Sequence, residues 1–335
     1  MVRLNHLPAI VVVFILYLDA GVKAAVVQYN IVNAGLTGTQ IREIRDGKLA
    51  GFRYQNSFLG TRNYEEGFIK NITSGASSFY TYVDSVKGTA TSTQIYAIST
   101  TDNNRYGGMA YFGEFLPVRV YGFVKNANGS SSIVEPPGVS NSSIEGIYGD
   151  TSVGWLEQGG KRYGFYRIET GANAGFYSVM FNNASLGLGS ASATELRGIW
   201  GGVAVGTATY GNTNYGFGFN GSEFSGLYSA PGSTSTVFND YNDGLIAGTA
   251  TINGINKPFL LNPITDEWEF FTSSEGYSAS GSSYDNGILA GSYVTSTGET
   301  LGYYANVPEP STSTLIVLSL YLQALLNRSR RLRTK

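Results

Sequence analysis

Between residues 25 and 306 the chain is a succession of short apolar-alternating stretches cut by Gly, Asn and Asp pairs. No long segment there repeats its apolar residues at a 3.6-residue interval, so the pattern predicts strands and no substantial helix. Two stretches break the pattern. Ala9 to Leu18 and Leu315 to Leu326 are near-continuous apolar runs at the two ends of the 335-residue chain.

The alternating region repeats itself. A turn pair recurs at Asp46-Gly47, Asn103-Asn104, Gly149-Asp150, Gly201-Gly202, Asp243-Gly244 and Asn286-Gly287. In each copy a glycine stands five residues after the first member of the pair: Gly51, Gly108, Gly154, Gly206, Gly248 and Gly291. A second motif follows: Gly67-Phe68, Gly122-Phe123, Gly164-Phe165, Gly216-Phe217, Pro258-Phe259 and Gly302-Tyr303. The turn pairs tolerate positive φ at both central positions, as a two-residue type I′ hairpin requires. Each unit therefore opens with a hairpin, whose second strand is a stretch such as Lys48 to Tyr54 or Leu245 to Thr251. A third strand carries the Gly-aromatic motif, and a fourth follows, as at Ser131 to Val134 or Glu267 to Phe271. The glycine in the second strand has no side chain to pack, which marks the close approach of another backbone.

Four short strands repeated six times predict an all-β, six-bladed β-propeller-like domain over residues 25–306. The sixth unit lacks a fourth strand of its own before Val307-Pro308. The stretch Val26 to Val32 is expected to supply it by pairing with Leu301 to Ala305, which would close the ring and cover a sheet edge. The units resemble HAF-type extracellular repeats in their turn, their glycine-bearing strand and their Gly-aromatic strand.

The two ends read as addresses. Arg3, the run Ala9 to Leu18 and Val22-Lys23-Ala24 have the order of a secretory signal, placing residues 1–24 in a signal peptide cut after Ala24. At the other end, Val307-Pro308-Glu309-Pro310 is followed by a Ser/Thr spacer, the apolar run Leu315 to Leu326 and a cationic stop of Arg328, Arg330, Arg331, Arg333 and Lys335. That order resembles the PEP-CTERM sorting signal of Gram-negative bacteria over residues 307–335. The resemblance implies an exosortase-type processing enzyme as a partner, transient anchoring in the inner membrane by a short helix, and delivery to the cell envelope, surface or exterior. The apolar core is shorter than the roughly 20 residues of a full span.

Composition narrows the chemistry of the middle. Seven of the 22 Lys+Arg residues lie in the two terminal segments, which leaves the exported part acidic and disfavours nucleic acid as a partner. There is no cysteine, and the single histidine is His6 in the leader. That removes Ser-His-Asp and Cys-His nucleophile systems and any Cys/His zinc site but leaves oxygen-ligated metals open, and with no metal loop recognised in the sequence, no cofactor and no metal are expected. Carboxylate chemistry survives. Ser283-Tyr284-Asp285-Asn286-Gly287 resembles the start of a sialidase Asp-box, with Ala290 where its Trp would stand, and reads as a turn. Asp240, Asn242 and Asp243 read as a hairpin turn in preference to a calcium loop, as do Asp102, Asn103 and Asn104. Glu65-Glu66 and Asp266-Glu267 are adjacent acids, which point to opposite faces of a strand and read as solvated loop charges. Trp155, Trp200 and Trp268 read as packing between blades in preference to sugar-stacking platforms.

The expectation from sequence is an exported surface or matrix protein without catalysis, associated with extracellular polysaccharide. The alternative is an exported carbohydrate-binding or carboxylate-dependent glycan-cleaving propeller. A convergent pair of buried acids in a central pocket would favour that alternative.

Overall fold

The computed structural model describes residues 22–32, 38–56, 63–99, 105–113, 118–171, 174–183, 189–273 and 278–307. All regular structure among them is β-strand. The strands fall into successive antiparallel units, as the repeat predicts. The first strands are Thr39–Arg45, Ser92–Ile98, Asn141–Tyr148, Ala193–Trp200, Ser235–Asn242 and Ala279–Asp285, and each pairs with the strand after it. The third and fourth units join through one parallel bridge, Arg162 to Ala193, so that their strands form one continuous sheet. In the fourth unit two bridges, Gly216 to Tyr228 and Phe219 to Phe224, take the place of a full fourth strand.

The turn chemistry is largely as predicted. Positive φ is found at both residues of Asp46-Gly47, Gly201-Gly202, Asp243-Gly244 and Asn286-Gly287. At Gly149-Asp150 only the glycine adopts it. Asn103-Asn104 lies outside the described residues.

The Gly-aromatic motif explains the core and the ring. Phe68, Phe123, Phe165, Phe217, Phe259 and Tyr303 are all essentially fully buried, and each stands opposite the glycine of the second strand of its unit. The glycine before the aromatic faces the next unit. A Cβ on Gly67 would lie 2.8 Å from Ile95, one on Gly122 3.0 Å from Ile144, and one on Gly164 3.1 Å from Leu196. A Cβ on Gly216 would lie 2.5 Å from Phe238, and one on Gly302 2.7 Å from Ile41 of the first unit. The last unit thus packs on the first strand of the chain's first unit as every other unit packs on its successor, and the ring closes. The fold is β-propeller-like.

Closure differs in detail from the sequence expectation. Val26 to Val32 is not one strand. Val22–Val27 runs parallel to Glu267–Ser273 of the fifth unit, with Val22 opposite Trp268 and Val27 opposite Ser273. The chain breaks at Gln28-Tyr29, and Asn30–Val32 then pairs antiparallel with the sixth unit, Asn30 opposite Tyr304 and Val32 opposite Gly302. The break has a packing reason: the Tyr29 ring leaves the ladder and stacks on Tyr303 with centroids 3.9 Å apart. The N-terminal segment therefore straps two units, and the cut expected after Ala24 falls inside its first strand.

Candidate functional site at the channel

Each first strand carries a β-bulge at the same place. The unpaired residues are Arg42, Tyr96, Glu145, Arg197, Asn239 and Ser282. The bulge is made possible by the second-strand glycine opposite. A Cβ on Gly51, Gly108, Gly154, Gly206, Gly248 or Gly291 would lie between 1.8 and 2.3 Å from the carbonyl oxygen of Gln40, Gln94, Ser143, Glu195, Val237 or Ser280 in turn. Only glycine admits that carbonyl, and the kinked strand re-aims the extra residue. The six bulge residues line one narrow cavity of about 20 Å³ that opens to solvent.

The cavity is charged and ringed by aromatic side chains. The Arg42 guanidinium lies 4.8 Å from the Tyr96 ring centre and 5.5 Å from that of Phe52. Tyr54, Tyr111 and Trp155 pack around the same cluster and stay partly exposed. Arg162 stacks on Trp155 at 4.1 Å. Glu145 Oε1 accepts hydrogen bonds from Ser143 Oγ (2.6 Å) and Trp155 Nε1 (2.9 Å). Arg197 donates to Glu195 at 2.5 Å and to Asn239 Oδ1 at 3.2 Å. The other oxygen of Glu195 is held by Arg162, also at 2.5 Å. The Nε atoms of Arg42 and Arg197 are buried with no hydrogen-bond partner among the described residues.

The carboxyls at this face differ in state. Burial pushes the Glu145 carboxyl up, only partly offset by Arg197 and by the Ser143 hydrogen bond. Burial also works to raise Glu195, but Arg197 and Arg162 outweigh it and hold that carboxyl below its ordinary range. Glu65 is raised by burial against the Gln94 hydrogen bond and the charge of Arg42. Glu65 and Glu145 both bear electrostatically on Tyr96 and Tyr111, whose phenols are themselves raised by burial. Acids distant in sequence are thus brought to one mouth.

The residues singled out from sequence are placed as follows. Val307 donates its amide to the Gly287 carbonyl (2.8 Å) and packs on the sixth unit. Pro308, Glu309, Pro310, Arg328, Arg330, Arg331 and Arg333 lie outside the described residues, as does His6. Glu65 and Glu66 are not loop charges. They sit on the strand Asn63–Asn71, where Glu65 accepts from Gln94 at 2.5 Å and Glu66 from Arg53 at 2.6 Å. Trp268 is core, whereas Trp155 belongs to the channel face and Trp200 packs edge-on against Tyr148. The Asp-box-like segment is structural. Ser283 Oγ donates to Asp240 Oδ2 (2.6 Å), and Asp285 accepts from the Asp46 amide (2.8 Å) and from Asn242 (2.9 Å). Asp240 in turn pairs with Arg45 at 2.5 Å, and Arg45 Nε with Glu43 at 3.1 Å, in a buried network that joins the fifth, sixth and first units. Among the described residues no group of three or more His, Cys, Asp or Glu is arranged to hold a metal.

The bulge residues were missed from sequence because the six share no chemistry. Their spacing was readable: five of them stand nine residues before the second-strand glycine. Tyr96 stands twelve before Gly108, owing to the longer connection ahead of Tyr106.

No family model matches the chain, and no curated protein matches it by sequence. Solved structures of similar shape exist. Pyrococcus horikoshii acylaminoacyl peptidase is 11% identical with a TM-score of 0.47, over 82% of this chain and 52% of that one. The β-propeller domain of the Trilobed protease from Pyrococcus furiosus is 10% identical with a TM-score of 0.46, over 84% of this chain and 98% of that one. Trypanosoma rangeli sialidase is 10% identical with a TM-score of 0.45, over 90% of this chain and 60% of that one. This chain spans about half the length of the peptidase. Peptidases and a sialidase are thus among the solved structures of similar shape, which runs against the expectation of a chain without catalysis. The carboxylates that the sequence scatters are not scattered in space: Glu65 and Glu145 both act on Arg42, and Glu145 and Glu195 both act on Arg197.

Proposed function

We propose that this chain is an exported, carboxylate-dependent glycan-processing propeller. The observation that carries the reading is the position of Glu145, a desolvated carboxyl set between two arginines where the six bulged strands meet. A carboxyl whose pKa is raised holds its proton at higher pH and can deliver it to a leaving glycosidic oxygen. In this reading Glu145 is the general acid. Glu65, the other acid near Arg42, takes the proton from the attacking water. Glu195 has both oxygens engaged by arginines, and its role is to position Arg197. The partly exposed Tyr54, Tyr111 and Trp155 provide ring faces on which a sugar can lie. Export through the N-terminal signal and sorting through the PEP-CTERM-like tail are part of the proposal, and they would bring the channel to extracellular polysaccharide. Among the described residues no helix is long and apolar enough to cross a membrane, and the tail is not among them.

The test is to offer the exported protein a panel of polysaccharides and assay released reducing ends. Wild type should release them from at least one member, and Glu145→Gln should lower the rate about a hundredfold or more. Absence of release across the panel, or equal release by the variant, would overturn the hydrolytic reading.

A further inference from the structure

We infer that the channel takes a sugar bearing a carboxylate, and that Arg42 is the residue that holds it. This rests on the glycan reading above. Most cations at the channel face are already paired. Arg197 pairs with Glu195, Arg162 with Glu157 and Glu195, and Arg53 with Glu66. Arg42 forms no ion pair and no hydrogen bond through its guanidinium among the described residues. It is held by ring contacts with Tyr96 and Phe52, and its Nε is buried without a partner.

Arg42 is half-buried, with its Nε shut off from water, and the cost of leaving that donor unmatched is relieved by an anion that enters. The carboxyls that act on Arg42 do not supply that anion in full. Glu145 already accepts from Ser143 and Trp155, and Glu65 from Gln94. Burial also disfavours the charged form of both. A ligand carboxylate meets the requirement directly. Its two oxygens match the planar fork of Nε–H and Nη–H with two parallel charge-assisted hydrogen bonds. The Tyr96 ring beneath the guanidinium fixes the plane of that fork, so the site is preorganised for a flat anion, and the neighbouring Tyr54 and Trp155 offer faces to the sugar ring. The substrate class is then a uronate-type glycan, and neutral glycans are disfavoured because they leave Arg42 unmatched.

Calorimetric binding to the exported protein carrying Glu145→Gln, which prevents turnover, tests this with three ligands: an oligouronate, its carboxyl-reduced neutral counterpart, and a sulfated neutral oligosaccharide. The oligouronate should bind at least about tenfold more tightly than the neutral sugar. Adding Arg42→Gln should erase that difference, and Arg42→Lys, which keeps the charge but not the fork, should restore only part of it. Thermal melts establish that each variant is folded, and the Arg42→Lys comparison stands if Arg42→Gln is not. Equal binding of the neutral sugar, or a preference that survives Arg42→Gln, overturns the assignment. Sulfated sugar bound as tightly as the uronate overturns the carboxylate in favour of a less selective anion site. Uronate retention without reducing-end release by wild type would uphold this inference while sinking the hydrolytic one, and release from neutral glycans alone would do the reverse.

Discussion

Pro258 and Gly281 have exchanged sizes relative to the rest of the ring. In four of the other units a third-strand glycine faces the side chain of a large apolar residue on the next first strand, Ile41, Ile95, Leu196 or Phe238, while Gly122 meets the backbone of Ser143 and Ile144. Between the fifth and sixth units the third-strand position is Pro258, and the first-strand position is Gly281, whose added Cβ would lie 3.0 Å from the Pro258 Cβ and 2.6 Å from the Gly248 carbonyl oxygen. One interface volume is conserved while its owner changes. Gly281→Ile should therefore destabilise by about 1–3 kcal/mol through overpacking, and Pro258→Gly together with Gly281→Ile should recover only the part due to Pro258, since the Gly248 carbonyl oxygen still stands 2.6 Å from the new Cβ. A double-mutant cycle by chemical denaturation measures it. Additive losses would contradict the compensation.

The second-strand glycines make a sharper prediction. Gly154→Ala places a methyl 1.9 Å from the Ser143 carbonyl oxygen, and the neighbour is backbone that a rotamer change cannot relieve. The bulge at Glu145 must shift or the strand pair must open. Stability should fall by roughly 2 kcal/mol or more, and activity at the channel should fall with it. Ala at the turn glycine Gly159 meets no atom within 4 Å and bears only the strain of a positive φ of 58°. It should cost about 1 kcal/mol and leave activity intact. Equal effects at the two positions would refute the role given to Gly154.

These cases mark what the sequence made legible. Positional needs of the backbone repeat strictly, so the turn pairs, the offset-five glycines and the Gly-aromatic motif could be read directly and led to the strands, the core aromatics and the close backbone approach. The channel could not be read in the same way. Arg42, Tyr96, Glu145, Arg197, Asn239 and Ser282 are alike only in where the backbone aims them, and a ligand site selects for difference. Glu65 looked like half of a solvated pair because its partner, Gln94, belongs to the next unit. The break at Tyr29 was invisible for a similar reason, since Tyr303 lies at the other end of the chain.

The N-terminal strap should be needed for a stable ring. Tyr29→Ala removes the stack on Tyr303 and should cost about 2–4 kcal/mol as a large-to-small substitution at a packed site. Deleting residues 22–32 leaves edges of the fifth and sixth units unpaired and should promote association. Melting and light scattering report both effects, and a monomeric deletion variant with unchanged melting temperature would contradict the closure.

The buried network gives a pH signature. Burial raises Glu43 to about 8, against the opposing charge of Arg45. Asp285, in the same network, is also raised by burial. A folded-state pKa above the unfolded value means that the folded protein binds the extra proton. This stabilisation is complete below the unfolded value of 4.5 and is lost as pH rises toward 8. The expected slope from Glu43 is on the order of 1 kcal/mol per pH unit within that window. Glu43→Gln should flatten the dependence of unfolding free energy on pH between 5 and about 8 relative to wild type. A variant with the wild-type slope would show that Glu43 does not titrate there.

The most direct measurement of the central claim is the pH dependence of reducing-end release. Glu145 must be protonated to act as the acid, and burial holds its pKa above the ordinary carboxylate value of 4.5. Activity should therefore persist above that value and fall on an alkaline limb set by Glu145, with a separate acidic limb as Glu65 becomes protonated. Glu145→Gln should lose the alkaline limb together with about a hundredfold or more in rate. A wild-type profile reproduced by Glu145→Gln, in limb and in rate, would contradict the account.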